Sequence, residues 1–89
     1  MPQYLIERAR STELSREERR AGAKRAIEVA DSMPGVVWIR TYSSESEGKT
    51  YCIYEAPNPE AILEHARRAG LSVLKITPIS GEADPSMFR

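Results

Sequence analysis

The sequence predicts an α+β domain whose elements follow the order β-α-β-β-α-β. Four short runs are rich in β-branched and aromatic residues, and two longer segments carry helix-capping signals and apolar residues at helical spacing. The chain has 89 residues, of which 40% are hydrophobic and 29% are charged. A chain of this size and composition is expected to fold as one domain rather than to remain disordered.

The first strand and the first helix come from the N-terminal part of the chain. Residues 3–8 form a β-prone run, and residues 9–13 form a polar loop. Ser15 and Glu18 then make a capping box, which predicts a helix that ends near Ser32 before a Pro-Gly pair. Its apolar stripe recurs at spacings of three and four and consists of Ala23, Ala26, Ile27, Ala30 and Met33.

A hairpin and a second helix follow. Residues 36–43 and 50–55 are β-prone, and the turn between them contains Gly48. Asn58 is a favourable N-cap with Pro59 at the first helical position, and Gly70 ends this helix. Residues 72–80 predict a last strand, so residues 1–80 form the domain and residues 81–89 a tail.

The predicted order is that of a ferredoxin-like sandwich, in which a four-stranded antiparallel sheet carries two helices on one face. The other face of such a sheet should be polar in a lone domain. Here both faces carry apolar residues. On strand two, one side has Val37 and Ile39, and the other has Val36, Trp38 and Tyr42 with Arg40 among them. On strand three, one side has Tyr51 and Ile53, and the other has Cys52 and Tyr54. An apolar second face predicts a homodimer formed by two sheets.

Charge and cysteine content restrict the function. Thirteen basic residues balance thirteen acidic ones, which gives no reason to expect nucleic acid or a membrane surface as a partner. The single Cys52 permits no internal disulfide and no multi-cysteine metal site, and the N-terminus lacks an export signal. We therefore expect a cytoplasmic protein.

The second helix carries the only histidine of the chain. His65 falls in the apolar stripe with Ile62, Ala66 and Ala69, so it is expected to point toward the sheet. It is either a core histidine bonded to a carbonyl or a tyrosine, or a proton carrier or ligand in a pocket. The helix stripes are rich in alanine and the strands in large aromatic rings, which leaves two outcomes: the rings fill the space, or a ligand cavity lies between helices and sheet.

Two acidic residues and the cysteine are the other candidates. Glu7 and Glu55 lie in strands among apolar residues and are interpreted either as rim positions paired with Arg8, Arg40 or Lys75, or as buried acids near His65. Cys52 lies in the middle of a strand and is interpreted as a buried structural residue. No motif indicates an organic cofactor, a phosphate loop or a serine nucleophile.

Three segments carry a resemblance to a known family: MPQYLIER at residues 1–8, YCIYEAP at 51–57 and EHARRAG at 64–70. They resemble a family of small bacterial proteins labelled nickel-binding, otherwise a domain of unknown function, over residues 1–79. The resemblance implies a ferredoxin-like dimer of the dimeric α+β barrel type and a divalent metal such as nickel. For this chain it implies a weak metal site built on His65 and a carboxylate, which is Glu55 or else Glu7 or Glu64; nickel prefers imidazole, and His65 carries the only one in the chain.

The wider class of dimeric barrels that this chain resembles also contains monooxygenases, isomerases and cyclases. By that resemblance, a pocket lining is expected from Glu7, Trp38, Arg40, Tyr54, Glu55 and His65, not all of which can face one cavity because side chains alternate along a strand. We expect a cytoplasmic homodimer that binds a divalent metal or a small molecule. The alternatives are a cofactor-independent isomerase, cyclase or monooxygenase-like enzyme, and a module that binds another protein.

Overall fold

The computed structural model describes residues 1–10 and 13–89, and this part of the chain has the predicted order β-α-β-β-α-β. The elements are β1 (Gln3–Ala9), α1 (Arg16–Asp31), β2 (Val37–Ser44), β3 (Lys49–Glu55), α2 (Pro59–Ala69) and β4 (Lys75–Ile79). The strands form one antiparallel sheet in the order β2-β3-β1-β4. The ferredoxin-like α+β fold is therefore confirmed.

The predicted helix boundaries are also confirmed, because local side chains satisfy the free backbone groups at the helix ends. The Ser15 hydroxyl accepts from the Glu18 N–H at 3.1 Å, and the Glu18 carboxylate accepts from the Ser15 N–H at 3.1 Å. Asn58 caps α2 by accepting from the Ala61 N–H at 2.9 Å. Gly70 ends α2 with a φ of 71°, a left-handed conformation that favours glycine.

The predicted end of β1 and the predicted start of β4 need correction. β1 continues through Ala9, so the predicted loop at residues 9–13 begins one residue later; residues 11 and 12 lie outside the described residues. β4 begins at Lys75 rather than at Ser72, because Ser72 is joined to β1 by hydrogen bonds that involve side chains instead of the backbone pairing of a strand. Its carbonyl accepts from Arg8 and its hydroxyl oxygen accepts from the Ala9 N–H, both at 2.9 Å. The tail contains a short exposed 3₁₀ turn, Pro85–Phe88.

The core lies between the helices and one face of the sheet. Its largest fully buried side chains are Tyr54, Ile6, Ile62 and His65. The buried helix residues include four alanines, Ala26, Ala30, Ala66 and Ala69. The predicted stripe of α1 is narrower than expected: Ile27 is 44% exposed, because it lies about 100° around the helix from Ala26.

A β-bulge changes the predicted faces of β2. Trp38 pairs with Tyr54, but Arg40 pairs with Ile53, so the alternation shifts by one residue between Trp38 and Arg40. The prediction that Trp38, Arg40 and Tyr42 share one side was therefore wrong. Tyr42, which pairs with Tyr51, and Arg40 lie on the face away from the helices, called here the open face.

Candidate functional site

A cavity of about 650 Å³ opens between α1 and the sheet. It exists because α1 presents small residues here, Gly22, Ala23 and Ala26, to a sheet whose rings do not fill the space. Of the two outcomes considered for the small helix stripe, the structure has the cavity. Its volume falls in the range of about 300–1,000 Å³ that is typical of pockets for small organic ligands.

Large apolar and aromatic side chains form much of the wall. They are Leu14, Trp38, Cys52, Tyr54 and Leu71. The Trp38 Nε1–H donates to Thr41 Oγ1 at 2.8 Å, and the Thr41 hydroxyl donates to Cys52 Sγ at 3.1 Å. These bonds fix the indole ring and leave its face available to pack against a ligand. Cys52 is buried and free, as its structural interpretation predicts.

The wall is strongly basic although the whole chain has no net charge. The arginines that line the cavity are Arg8, Arg10, Arg19 and Arg25. Among the described residues, one acid, Glu18, lines it, and this carboxylate is used in the capping box of α1. The hydrogen bonds from Ser15 hold the pKa of Glu18 below its usual value, so it stays ionised at neutral pH. The cavity therefore favours an anionic ligand.

Arg8 is the most unusual of these residues because it is 4% exposed. Its Nη1 donates to Ser72 O at 2.9 Å, and its guanidinium carbon lies 5.5 Å from the centre of the Tyr54 ring. Its buried Nε and Nη2 have no acceptor at hydrogen-bonding distance within residues 1–10 and 13–89, although the Tyr54 hydroxyl is near enough for Arg8 to act on the Tyr54 pKa. A buried charge with unpaired donors is unfavourable, so Arg8 requires a partner that the described residues do not supply.

His65 lies behind the cavity wall. Its side chain is 0% exposed, and Nε2 donates to Ala26 O at 2.9 Å, which leaves the unprotonated Nδ1 buried without a donor in the described chain. Burial lowers the pKa of His65; the bond to Ala26 opposes this effect and the Arg8 charge adds to it. His65 is therefore neutral at pH 7, and its ring packs edge-on against Tyr54 at 5.1 Å.

Tyr54 connects the buried histidine to the cavity. Tyr54 and Ala26 both line the cavity, and both contact His65, whereas His65 is not among the described lining residues. Burial raises the pKa of Tyr54 above its ordinary value, and the Arg8 charge opposes this rise in part. The tyrosine is thus a neutral hydroxyl at physiological pH. His65 holds it in place rather than meeting a ligand itself.

The six residues expected to line one pocket are divided between two faces of the sheet. Trp38 and Tyr54 line the cavity, and His65 supports it from behind. Glu7, Arg40 and Glu55 have the opposite parity in their strands and lie on the open face.

The interpretation of Glu7 as a paired rim residue is right in kind, but the partner differs from those expected. Lys49 Nζ lies 3.4 Å from Glu7 Oε1, because Lys49 and Glu7 occupy the same face of neighbouring strands. Arg40 donates to the Tyr42 hydroxyl at 3.4 Å on the same open face.

The proposed metal pair fits the fold poorly. His65 is buried among the helices and its Nε2 is used, whereas Glu55 is on the other side of the sheet, so the two cannot bind one ion within a chain. The described residues contain no group of three histidines, cysteines or acids that could hold a metal ion. The described side chains of one chain therefore offer no three-ligand site for a nickel ion.

Sequence reasoning missed Arg8 as a site residue. It appeared there as a possible partner for an acid, although the signal for burial was present. In β1 it has the same parity as Tyr4 and Ile6, and the alternation of buried positions continues through Arg8. A charged residue in the buried register of a central strand is informative, because such residues are almost never fully buried unless they have a partner.

Comparisons with known proteins agree with this fold. The protein family described as "Nickel responsive protein SCO4226-like" matches residues 4–79. The chain is similar to the solved structure titled "Crystal structure analysis of SCO4226 from Streptomyces coelicolor A3(2)", with a TM-score of 0.77 and 17% sequence identity. The similarity covers 91% of this chain and 99% of that chain. The sequence matches no curated protein.

Proposed function

The chain belongs to the family of nickel-responsive SCO4226-like proteins, and we propose that it is a binding protein whose ligand is a small organic molecule held between α1 and the sheet. The observation that carries the proposal is the cavity of about 650 Å³. It combines flat aromatic and aliphatic walls with a few polar groups at defined positions, which is the usual composition of a small-molecule site.

Binding is favoured over catalysis because the described lining residues of the cavity include no free carboxylate and no imidazole. Among the lining residues that the structure describes, the one carboxylate, Glu18, is engaged by Ser15, and the histidine lies behind Tyr54. A general acid or base must come within hydrogen-bonding reach of its substrate. The isomerase, cyclase or oxygenase alternative, which depends on His65, therefore has less support than binding.

The family description names a response to nickel, and a protein can respond to a metal without coordinating it. The donor set described above gives no three-ligand site. We therefore expect Ni²⁺ to leave the melting temperature unchanged at equimolar and tenfold ratios, whereas a bound ion would stabilise the native state. A saturable rise in melting temperature with Ni²⁺, reversed by a chelator, would replace the organic ligand with the metal as the principal partner.

We further propose that the protein works as a cytoplasmic homodimer joined through the open face. Five apolar or aromatic side chains support this surface: Leu5, Val37, Tyr42, Tyr51 and Ile53. Val37 is 47% and Tyr42 53% exposed, which is unfavourable for a sheet face in water. No helix in the described part of the chain is long and apolar enough to cross a membrane.

The binding proposal is tested by filling the cavity. Ala23→Phe places a ring in the space that α1 leaves open, and Ala83→Phe is the same change in the exposed tail. Native mass spectrometry of the purified protein detects a retained organic molecule, and thermal denaturation against a small-molecule panel detects added ones. A ligand at about one hundred times its Kd stabilises the native state by about 2.7 kcal/mol.

We expect Ala23→Phe to abolish this stabilisation and Ala83→Phe to retain it. Equal responses of the two variants would place the binding outside the cavity. A panel that stabilises neither variant nor the native protein, with no retained molecule, would overturn the proposed function.

A further inference from the structure

We propose that the cavity recognises a small organic acid, and that Nε and Nη2 of Arg8 hold its carboxylate. This inference rests on the proposed function, since it names the chemical class of the ligand bound between α1 and the sheet. It depends on the unpaired donors of Arg8, on the charge of the other arginines and on the apolar wall around them.

The free donors of Arg8 have the arrangement that a carboxylate requires. Nη1 is occupied by Ser72 O at 2.9 Å, and this bond fixes one edge of the planar guanidinium. Nε and Nη2 form the neighbouring edge, and both lack an acceptor among the described residues. Two parallel N–H groups along one edge match the two oxygens of a carboxylate, which arginine commonly binds in this two-pronged manner.

Burial makes this contact strong. Arg8 borders the cavity, and its Nε and Nη2 are almost inaccessible to solvent in the ligand-free protein, so a carboxylate contacts them only when a neighbouring side chain of the wall moves aside. No carboxylate in the described chain lies within ion-pair distance of Arg8. A charge held away from water interacts more strongly with an opposite charge than an exposed one does, so an arriving anion would satisfy both the donors and the charge.

The other arginines that line the cavity contribute charge. Arg25 Nε donates to Ala69 O at 2.8 Å, Arg10 lies 3.9 Å from Glu45, and Arg19 also has an interaction partner. These arginines raise the local positive potential and attract an anion, while Arg8 supplies the buried pair of donors.

The size and the lining of the cavity indicate which kind of acid fits. The volume of about 650 Å³ far exceeds that of an inorganic anion, and the wall contains Trp38, Tyr54 and Leu71, of which Tyr54 lies beside Arg8. Aromatic rings pack favourably against flat apolar groups. The geometry therefore favours an aryl carboxylate or another compact acid with an apolar body.

The test compares acids with uncharged molecules of the same shape on the native protein. The probes are 1-naphthoate with 1-naphthamide and indole-3-acetate with indole-3-acetamide, and inorganic phosphate serves as an anion control. Affinity is measured by calorimetry and by the fluorescence of Trp38, the one tryptophan of the chain. We expect each acid to bind at least about tenfold more tightly than its amide, since a hydrogen bond to a charged group is worth that much or more.

The Arg8→Lys variant keeps the positive charge and removes the two-pronged edge, and Arg40→Lys is the matched change on the open face. We expect Arg8→Lys to weaken acid binding by at least about tenfold and to leave amide binding unchanged, and Arg40→Lys to change neither. The acid–amide comparison needs no variant, so it remains decisive even where Arg8→Lys does not fold.

The outcomes separate this inference from the proposed function. Tighter binding of acids that depends on Arg8 supports both. Amides that bind as tightly as acids, or phosphate that competes as well as an acid, would overturn the carboxylate inference and leave the cavity a ligand site. Failure of every probe and of the wider neutral panel to bind would overturn both.

Discussion

Replacing Arg8 with methionine should leave the stability of the ligand-free protein nearly unchanged, although Arg8 is only 4% exposed. Methionine has a similar length and fills the same space with an apolar, flexible chain. The substitution removes two buried N–H donors that lack acceptors, and each such group costs about 1–3 kcal/mol. It therefore removes an unfavourable feature of the fold together with favourable ones.

The favourable contacts that are lost are the bond to Ser72 O and the position over the Tyr54 ring. A hydrogen bond from a charged donor and a desolvated cation–π contact together contribute about 2–5 kcal/mol. Because gains and losses are of similar size, we expect the free energy of unfolding to change by less than about 1 kcal/mol. That corresponds to less than about 8 °C in melting temperature for a domain of this size.

Urea unfolding, followed by circular dichroism and by Trp38 fluorescence, measures this change. Ile6→Ala is the control, since Ile6 is 0% exposed on the same face of β1. It should lose about 2–5 kcal/mol. A loss of about 3–5 kcal/mol in Arg8→Met would mean that Arg8 is a paired structural charge, and would refute the reasoning that its donors are kept for a ligand.

Three further predictions concern other parts of the fold. Because the pKa of His65 is lowered in the native state, the unfolded chain binds more protons than the native chain below about pH 6.5, and the free energy of unfolding should fall as the pH drops. His65→Gln keeps a hydrogen-bond donor and does not titrate, so the free energy of unfolding measured in urea should depend less on pH between about pH 5 and 7. Gly70→Ala should lower the free energy of unfolding by about 1–2 kcal/mol, because Gly70 has a φ of 71°, which is unfavourable for alanine. Gly22→Ala should raise the free energy of unfolding slightly, because Gly22 lies inside α1, and thermal denaturation measures both variants. Ile53→Glu on the open face should convert the proposed dimer to a monomer in sedimentation equilibrium, and Ile27→Glu should not; an unchanged dimer in Ile53→Glu would place the interface elsewhere.

The fold was predictable because its signals are local. The capping box at Ser15 and Glu18 and the Asn58 cap are read from residues three apart, and the strands from their β-branched and aromatic content. The start of β4 was less predictable, because Ser72 forms hydrogen bonds with β1, more than sixty residues away in sequence. Long-range partners of this kind leave no local pattern.

The candidate site was predicted only in part. Two of the expected residues, Trp38 and Tyr54, line the cavity, where aromatic strand residues face small helix residues. The bulge between Trp38 and Arg40 could not be foreseen, and one extra residue exchanged the faces of all the positions after it. The bulge accounts for Arg40, whereas Glu7 and Glu55 lie on the open face because of the ordinary alternation of side chains in β1 and β3.

The sequence by itself determined the element order, the helix ends and the surplus of apolar residues on both sides of the sheet, because each depends on neighbours along the chain. The tertiary structure decided where the space between α1 and the sheet lies and which charges border it. It alone showed that Arg8 is buried with two unpaired donors, since pairing depends on what other elements bring close to a side chain. Local pattern thus specified the fold, and the packing of distant segments created the site.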